Sequence, residues 1–306
     1  MEHSKSLVLH VLIIWSLVMV LPVAGRTAEE GGDTKVAVTS GPAELLIRCD
    51  DIGFCHSVNL AAEELAKSGV RFSASVLFVA PWYREAVGIL KQFPNVAVGV
   101  HLALNSEWEN YKWGPVLGRS AVPSLVDSDG YFFGTRTAFD ANGPKTSEVR
   151  MELRAQIERA IHSGLNIKYL DTHMSTIDEN PEYMAIVEGL AKEYHLVISG
   201  SLGERDMETM YSAPVDRKLG VLLEQLSCLS PDSVNLLVCH IAVDSRESEA
   251  LIDANPSGPR EVGRHRQGEL SALLSPEFAK AIRANKIKLA TYADLAAREA
   301  GKPEGK

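Results

Sequence analysis

Six side chains of metal-binding and proton-transferring type stand at the ends of apolar runs. Asp50 and Asp51 close the first run, His101 lies near the end of another, Asp171 and His173 close a third, and His240 ends a fourth. A single such residue at a strand end is an ordinary turn or capping group; four separate runs ending this way form a set. A carboxylate and two imidazoles supply three ligands with positions left open, the arrangement of an ion that does chemistry rather than one that only holds a fold. Asp51, His101 and His173 are the expected ligands. Zinc, magnesium or manganese suits them, because two imidazoles and one carboxylate do not discriminate. The same ligand set serves non-haem iron oxygenases, but a second carboxylate and a third histidine are left over here, and hydrolysis has a use for both. Asp50 is the expected general base beside an activated water, and His240 the expected proton donor to a leaving group. Asp171, two residues before His173, is expected to hold an imidazole from behind. Neighbouring strand residues face opposite ways, so Asp50 and Asp51 share a site only where the chain leaves β geometry, which Gly53 favours.

Strands must deliver these groups to one rim. The apolar or β-rich runs are Leu45 to Cys49, Ser73 to Val79, Val96 to Leu104, Ile167 to Asp171, Leu196 to Ser199, Val234 to His240 and Ile287 to Ala290. Helical patterns separate them at Val58 to Ser68, Trp82 to Gln92, Glu148 to Ser163, Pro181 to Tyr194, Pro214 to Cys228 and Pro276 to Ala284. Asn180-Pro181 and Ser275-Pro276 read as helix starts, a capping side chain followed by a proline whose missing N–H costs nothing there. Gly69 and Gly164 read as left-handed helix ends. Strands this apolar, each returned by a helix, are buried on both faces and lie parallel. The expectation is an α/β fold, a distorted TIM-like barrel of about seven parallel strands in a single domain, with active-site residues at the C-terminal rim. The longest irregular stretch, Asn105 to about Lys145, carries Trp108, Tyr111 and Trp113, whose faces could stack on sugar rings above that rim or pack the loop down.

Composition narrows the class. With 31 Lys+Arg against 40 Asp+Glu the formal charge is −9, which excludes a basic nucleic-acid footprint, and 45% hydrophobic residues fit a packed globular domain. No GxGxxG or Walker-type loop follows the first strand, so nucleotide binding is not expected. Residues 1–25 read as a secretory signal peptide, with an uncleaved anchor as the competing reading, and 26–41 as a short polar linker before the domain at 42–306. The expectation is therefore an exported protein, periplasmic or secreted, without stable membrane insertion once the signal is cut; a homo-oligomer is compatible with it. Cys49, Cys55, Cys228 and Cys239 lack the spacing of a structural zinc site, and the strongly apolar runs around Cys49 and Cys239 favour free, buried thiols over disulfides.

Six segments, in order and spanning almost all of the chain after the signal, resemble the YdjC-like carbohydrate deacetylases, a family that includes chitooligosaccharide deacetylases. They are RCDDIGFCHSVNLA (48–61), VGVHLAL (98–104), PSLVDSDGYF (123–132), YLDTHMS (169–175), LLVCHIA (236–242) and RQGELSALLSPEFAKAI (266–282). The resemblance implies that Asp51, His101 and His173 bind one divalent ion, magnesium or zinc, that Asp50 is the base and that His240 acts near the leaving group. It implies hydrolysis of N-acetyl groups from amino-sugar oligosaccharides or glycans, with an acetylated carbohydrate as the partner, on a distorted TIM barrel. Two other readings suit the same residues: a hydrolase of O-acetyl esters or phosphoesters on this barrel, and a glycan-binding protein whose catalytic set has decayed.

Overall fold

The alternation of side chains along the first strand sets up the whole architecture. In β1 (Glu44–Ile52) Leu45, Ile47 and Cys49 pack into the main core, whereas Leu46 joins Tyr169, Leu236, Ala290, Tyr292 and Leu295 in a separate, smaller cluster. A strand with two buried faces needs helices on one side and a filled interior on the other. Arg48 and Asp50 continue the face of Leu46 by the two-residue period, so the interior turns from apolar to ionic along one strand.

The computed structural model describes residues 41–301 apart from residue 257. The expected signal peptide at 1–25 and all but the last residue of the expected linker lie outside the described residues. After β1 the chain runs through α1 (His56–Ser68), β2 (Ser73–Val76), α2 (Tyr83–Leu90), β3 (Ala97–Leu102), α3 (Arg136–Ala141), α4 (Thr146–His162), β4 (Ile167–Thr172), α5 (Pro181–Tyr194) and β5 (Val197–Ile198). It continues with β6 (Arg205–Asp206), α6 (Lys218–Leu226), β7 (Val234–Cys239), α7 (Arg246–Glu249), α8 (Val262–Leu274), α9 (Pro276–Ala284), β8 (Lys288–Ala290) and α10 (Tyr292–Ala300).

The strands form one parallel sheet in the order β5-β4-β3-β2-β1-β7-β6, with β8 set against the first residues of β1. The α/β barrel-like class is as expected, but the sheet curls without closing: among the described residues no ladder joins β5 to β6. The two-residue β6 is an eighth strand too short to leave a pattern. The expected helix from Pro214 begins as a 3-10 turn at Val215–Arg217 before α6. The caps are as read, with Asn180 and Ser275 accepting from the first-turn amides and Gly69 left-handed at φ 82. Four helices, α3, α7, α8 and α10, were not legible. α3 and α7 are only six and four residues long, and the buried face of α8 includes Arg266 and Glu269, which breaks its apolar period. Among the described residues no helix is long and apolar enough to cross a membrane.

Candidate functional site

Asp50 and Asp51 reach the same space because the strand is broken between them. Asp51 is left-handed at φ 63, the pairing of β1 with β2 slips between Cys49 and Ile52, and a turn closes with Phe54 N–H donating to Asp51 O at 3.0 Å. Such a backbone conformation costs about 1–3 kcal/mol for a residue with a Cβ, a cost that persists where the site requires it. Gly53 follows at φ 90, where a Cβ would press on the Tyr83 backbone. His101 and Asp171 are register partners on β3 and β4, and His173 follows β4 with its N–H donating to Leu102 O at 2.9 Å.

Three atoms face one another across this rim. His173 Nδ1 is 3.2 Å from His101 Nε2 and 3.3 Å from Asp51 Oδ1, and His101 Nε2 is 3.5 Å from Asp51 Oδ1. Ligands placed tetrahedrally at about 2.0–2.2 Å from one ion stand about 3.3–3.6 Å apart, so the triangle has the size of a three-ligand site. The far nitrogens of both rings are committed to carboxylates: His101 Nδ1 lies 2.8 Å from Asp171 Oδ2, and His173 Nε2 lies 2.9 Å from Glu107 Oε2. When each ring is neutral and carries its proton on the far nitrogen, the two facing nitrogens present lone pairs beside Asp51 Oδ1, which is buried with no hydrogen-bond partner. Three buried acceptors this close repel unless a proton or a cation lies among them.

Formal charge points the same way. Asp50, Asp51, Glu107 and Asp171 face Arg48 and Arg266, leaving two negative charges for a divalent ion to cancel when the imidazoles are neutral. Burial opposes a charged imidazole, yet the Asp171 and Asp50 carboxylates push His101 up to about 9, and Glu107 with Asp51 pushes His173 up to about 10. Burial also opposes ionisation of Asp51, but Arg266 and the two rings hold it well below the usual carboxylate range; against the same opposition Arg48 and His101 bring Asp171 down to about 2. The pocket favours positive charge at its centre and ionised carboxylates around it.

Two arginines hold the anions. Arg48 grips Asp50 with a fork, Nε to Oδ1 and Nη2 to Oδ2, both at 2.7 Å, while its Nη1 lies 2.8 Å from Asp171 Oδ1. Arg266 Nη2 donates to Asp51 Oδ2 at 2.6 Å, leaving Oδ1 to face the imidazoles. The Arg266 guanidinium is 5.2 Å from the Trp108 ring and 5.8 Å from the Phe54 ring, and its other two nitrogens have no polar partner, so aromatic faces take their place. His240 is half-buried opposite; its N–H donates to Glu269 Oε2 at 2.8 Å, its Nδ1 has no partner, and Tyr211 lies 5.1 Å from it ring to ring. Arg48, Asp50, Asp51, His101, Glu107, His173, Tyr211, His240 and Arg266 line a cleft of about 490 Å³, together with Ser175, Asp178, Asp253 and Asn255.

Asp50, Asp51, His101, Asp171, His173 and His240 thus all come together. Asp171 holds the ring of His101 across the sheet, whereas the ring of His173 is held by Glu107. The expectation that Trp108 and Trp113 stack on sugar does not hold: they are 1% and 3% exposed and pack with Phe54, and Tyr111 is half-buried against the same ring. Bringing the loop down buries large aromatic area, which outweighs leaving it exposed for a ligand. Arg48, Glu107, Tyr211, Arg266 and Glu269 were missed. Arg48 signals itself as a charge in an apolar strand on the face of Asp50, and Arg266 and Glu269 lie in the RQGEL segment; nothing local marks Glu107. All four cysteines are free; Cys49 and Cys239 are buried, as their apolar runs suggest, Cys55 is buried as well, and Cys228 is exposed.

A family model for YdjC-like proteins matches residues 44–284. A carbohydrate deacetylase of Brevibacillus brevis is 27% identical over 259 residues, covering 82% of this chain and 99% of the relative. A carbohydrate deacetylase of Enterococcus faecalis is 29% identical over 266 residues, covering 83% and 98%. A crystal structure from Enterococcus faecalis V583, described as that of a candidate cellobiose-phosphate cleavage protein, superposes with a TM-score of 0.67 at 25% identity, covering 83% of this chain and 99% of the other.

Proposed function

This chain belongs to the YdjC-like protein family, and from that premise we propose that it is a metal-dependent carbohydrate deacetylase that hydrolyses N-acetyl groups of amino-sugar oligosaccharides or glycans. The observation that carries the reading is the triangle of Asp51 Oδ1, His101 Nε2 and His173 Nδ1, with Asp50 held beside it and His240 opposite. A divalent ion held by those three side chains would supply Lewis acidity toward an acetyl carbonyl and toward water.

The chain's own residues do the rest. Asp50, oriented by the Arg48 fork, takes a proton from the attacking water as the new C–O bond forms. His240, fixed through its main-chain N–H by Glu269, delivers a proton to the nitrogen as the C–N bond breaks, so that amide and water become acetate and an ammonium. Lys218 Nζ, 3.3 Å from Glu269 Oε1, keeps that carboxylate paired in a fully buried position. Burial pushes Tyr211 up to about 12, leaving it a neutral hydroxyl in the cleft wall able to meet sugar hydroxyls. Reading residues 1–25 as an export signal makes the natural substrate an extracytoplasmic glycan; sequencing the mature N-terminus checks this.

The test is acetate release from a panel of N- and O-acetylated oligosaccharides with zinc, magnesium, manganese or chelator. Metal-dependent release from N-acetylated sugars is expected. Release from O-acetyl esters alone, or no release with any metal, would overturn the assignment.

A further inference from the structure

We propose that Tyr292, in the first turn of α10 at the far end of the chain, is a positioning residue for the hydrolytic site, acting through Ser199 on Arg48. What the site does is taken from the deacetylase reading; the placement of Arg48 is not. Ser199, just past β5, receives a hydrogen bond on Oγ from Arg48 Nη1 at 2.6 Å, and the same Oγ lies 2.5 Å from Tyr292 Oη. The chain of contacts therefore runs from a phenol through a serine hydroxyl to the guanidinium that grips Asp50 and meets Asp171.

Each link is itself fixed. The Tyr292 ring is buried and stacks on Tyr169 at 4.2 Å, and its N–H donates to Ser73 Oγ at 3.0 Å. Tyr169 Oη meets Ser75 Oγ at 2.9 Å, and a Cβ at Gly99 would overlap the Tyr169 ring, so the glycine of β3 makes room for the stack. α10 is fastened by the Thr291–Asp294 capping box, by Arg71 on Asp294 at 2.9 Å, and by an Arg298 fork on Glu44 at 2.6 and 2.8 Å.

The physical need is orientation. Arg48 lies between two carboxylates that compete for it, and both anions pull toward the rim. Ser199 supplies a neutral contact that sets the remaining direction of the plane, but a serine hydroxyl has three staggered positions unless something holds it. Tyr292 does so. Without the phenol, Ser199 turns, Arg48 tilts between Asp50 and Asp171, and Asp50 loses its aim; misplacement of this kind at a reacting group is costly in rate. Of the three ligands, Asp51 and His173 are held by Arg266 and Glu107, and only His101 connects to Arg48, through Asp171, so ion binding changes less than the rate.

Tyr292→Phe removes one oxygen and keeps the ring stack. Expected are a kcat about five- to tenfold lower in acetate release, with KM and the ion's Kd within about twofold of the parent. Ser199→Ala is expected to give the same pattern, and the double variant no larger a loss than the worse single, because both cut one chain. A kcat for Tyr292→Phe within twofold of the parent, or single losses that multiply, overturns the proposal. So does a matched loss of ion affinity, which would mark general loosening. Should Tyr292→Phe fail to fold, Ser199→Ala carries the same test. The relay is also read without turnover, by NMR exchange of the Arg48 Nε proton: faster exchange in both variants supports it and unchanged exchange overturns it. A parent chain that releases no acetate while Arg48 responds as expected would sink the deacetylase reading alone.

Discussion

Asp50→Asn and His101→Ala separate the two jobs assigned to the rim. Asn keeps the shape of Asp50 but not its basicity, and it accepts only one of the two 2.7 Å bonds from Arg48. Loss of a general base costs about 10²–10⁴ in rate, or ~2.7–5.5 kcal/mol at 1.36 kcal/mol per decade. No atom of Asp50 belongs to the triangle of 3.2–3.5 Å contacts, so ion affinity is expected to stay within a few-fold of the parent. His101→Ala removes one corner of that triangle and leaves Asp171 with Arg48 alone. Its ion affinity is expected to fall by more than the roughly 10–100-fold that loss of an outlying partner costs, and activity with it. The assay is titration calorimetry with zinc and magnesium on chelator-stripped protein, beside acetate release from an N-acetylated oligosaccharide. If Asp50→Asn loses the ion, or His101→Ala binds it as tightly as the parent, the division of roles is wrong.

Three further outcomes follow from the same geometry. Arg266→Gln removes the cation from a buried pair closed at 2.6 Å, which costs about 3–5 kcal/mol when the carboxylate is left alone; the loss of Tm is expected to shrink with saturating zinc, and an equal loss with and without metal would refute the link. Trp108→Ala is expected to lower stability by about 3–5 kcal/mol as a core deletion, without raising KM in protein that remains folded; a raised KM with an unchanged Tm would restore the sugar-stacking role. A thiol reagent is expected to modify one cysteine rapidly in the native chain, Cys228, since the other three are buried and burial pushes the Cys55 thiol up to about 12; rapid modification of a second thiol would contradict that burial.

Most of the rim was legible because a strand end is a short-range object. Residue type, the two-residue period and the apolar run before it place Asp50, His101, Asp171 and His240 on one rim with no knowledge of distant contacts. Asp51 was legible only conditionally, since its φ of 63 is needed to turn it inward. The partners that tune the site were hidden for the opposite reason. Glu107 comes from a long loop and Arg266 from a helix 215 residues away from Asp51, and no local pattern says which charge will meet which.

Residue order alone pointed to the parallel α/β class and to the carboxylates and imidazoles that gather at the rim, because each depends on periodicity and on the chemistry of single side chains. Folding in three dimensions decided how far the sheet curls, that the loop tryptophans turn into the core, and which carboxylate holds which imidazole. Those outcomes depend on competition for buried space and on charge pairing between segments far apart in the chain, where burial makes one partner indispensable and rules out the rest.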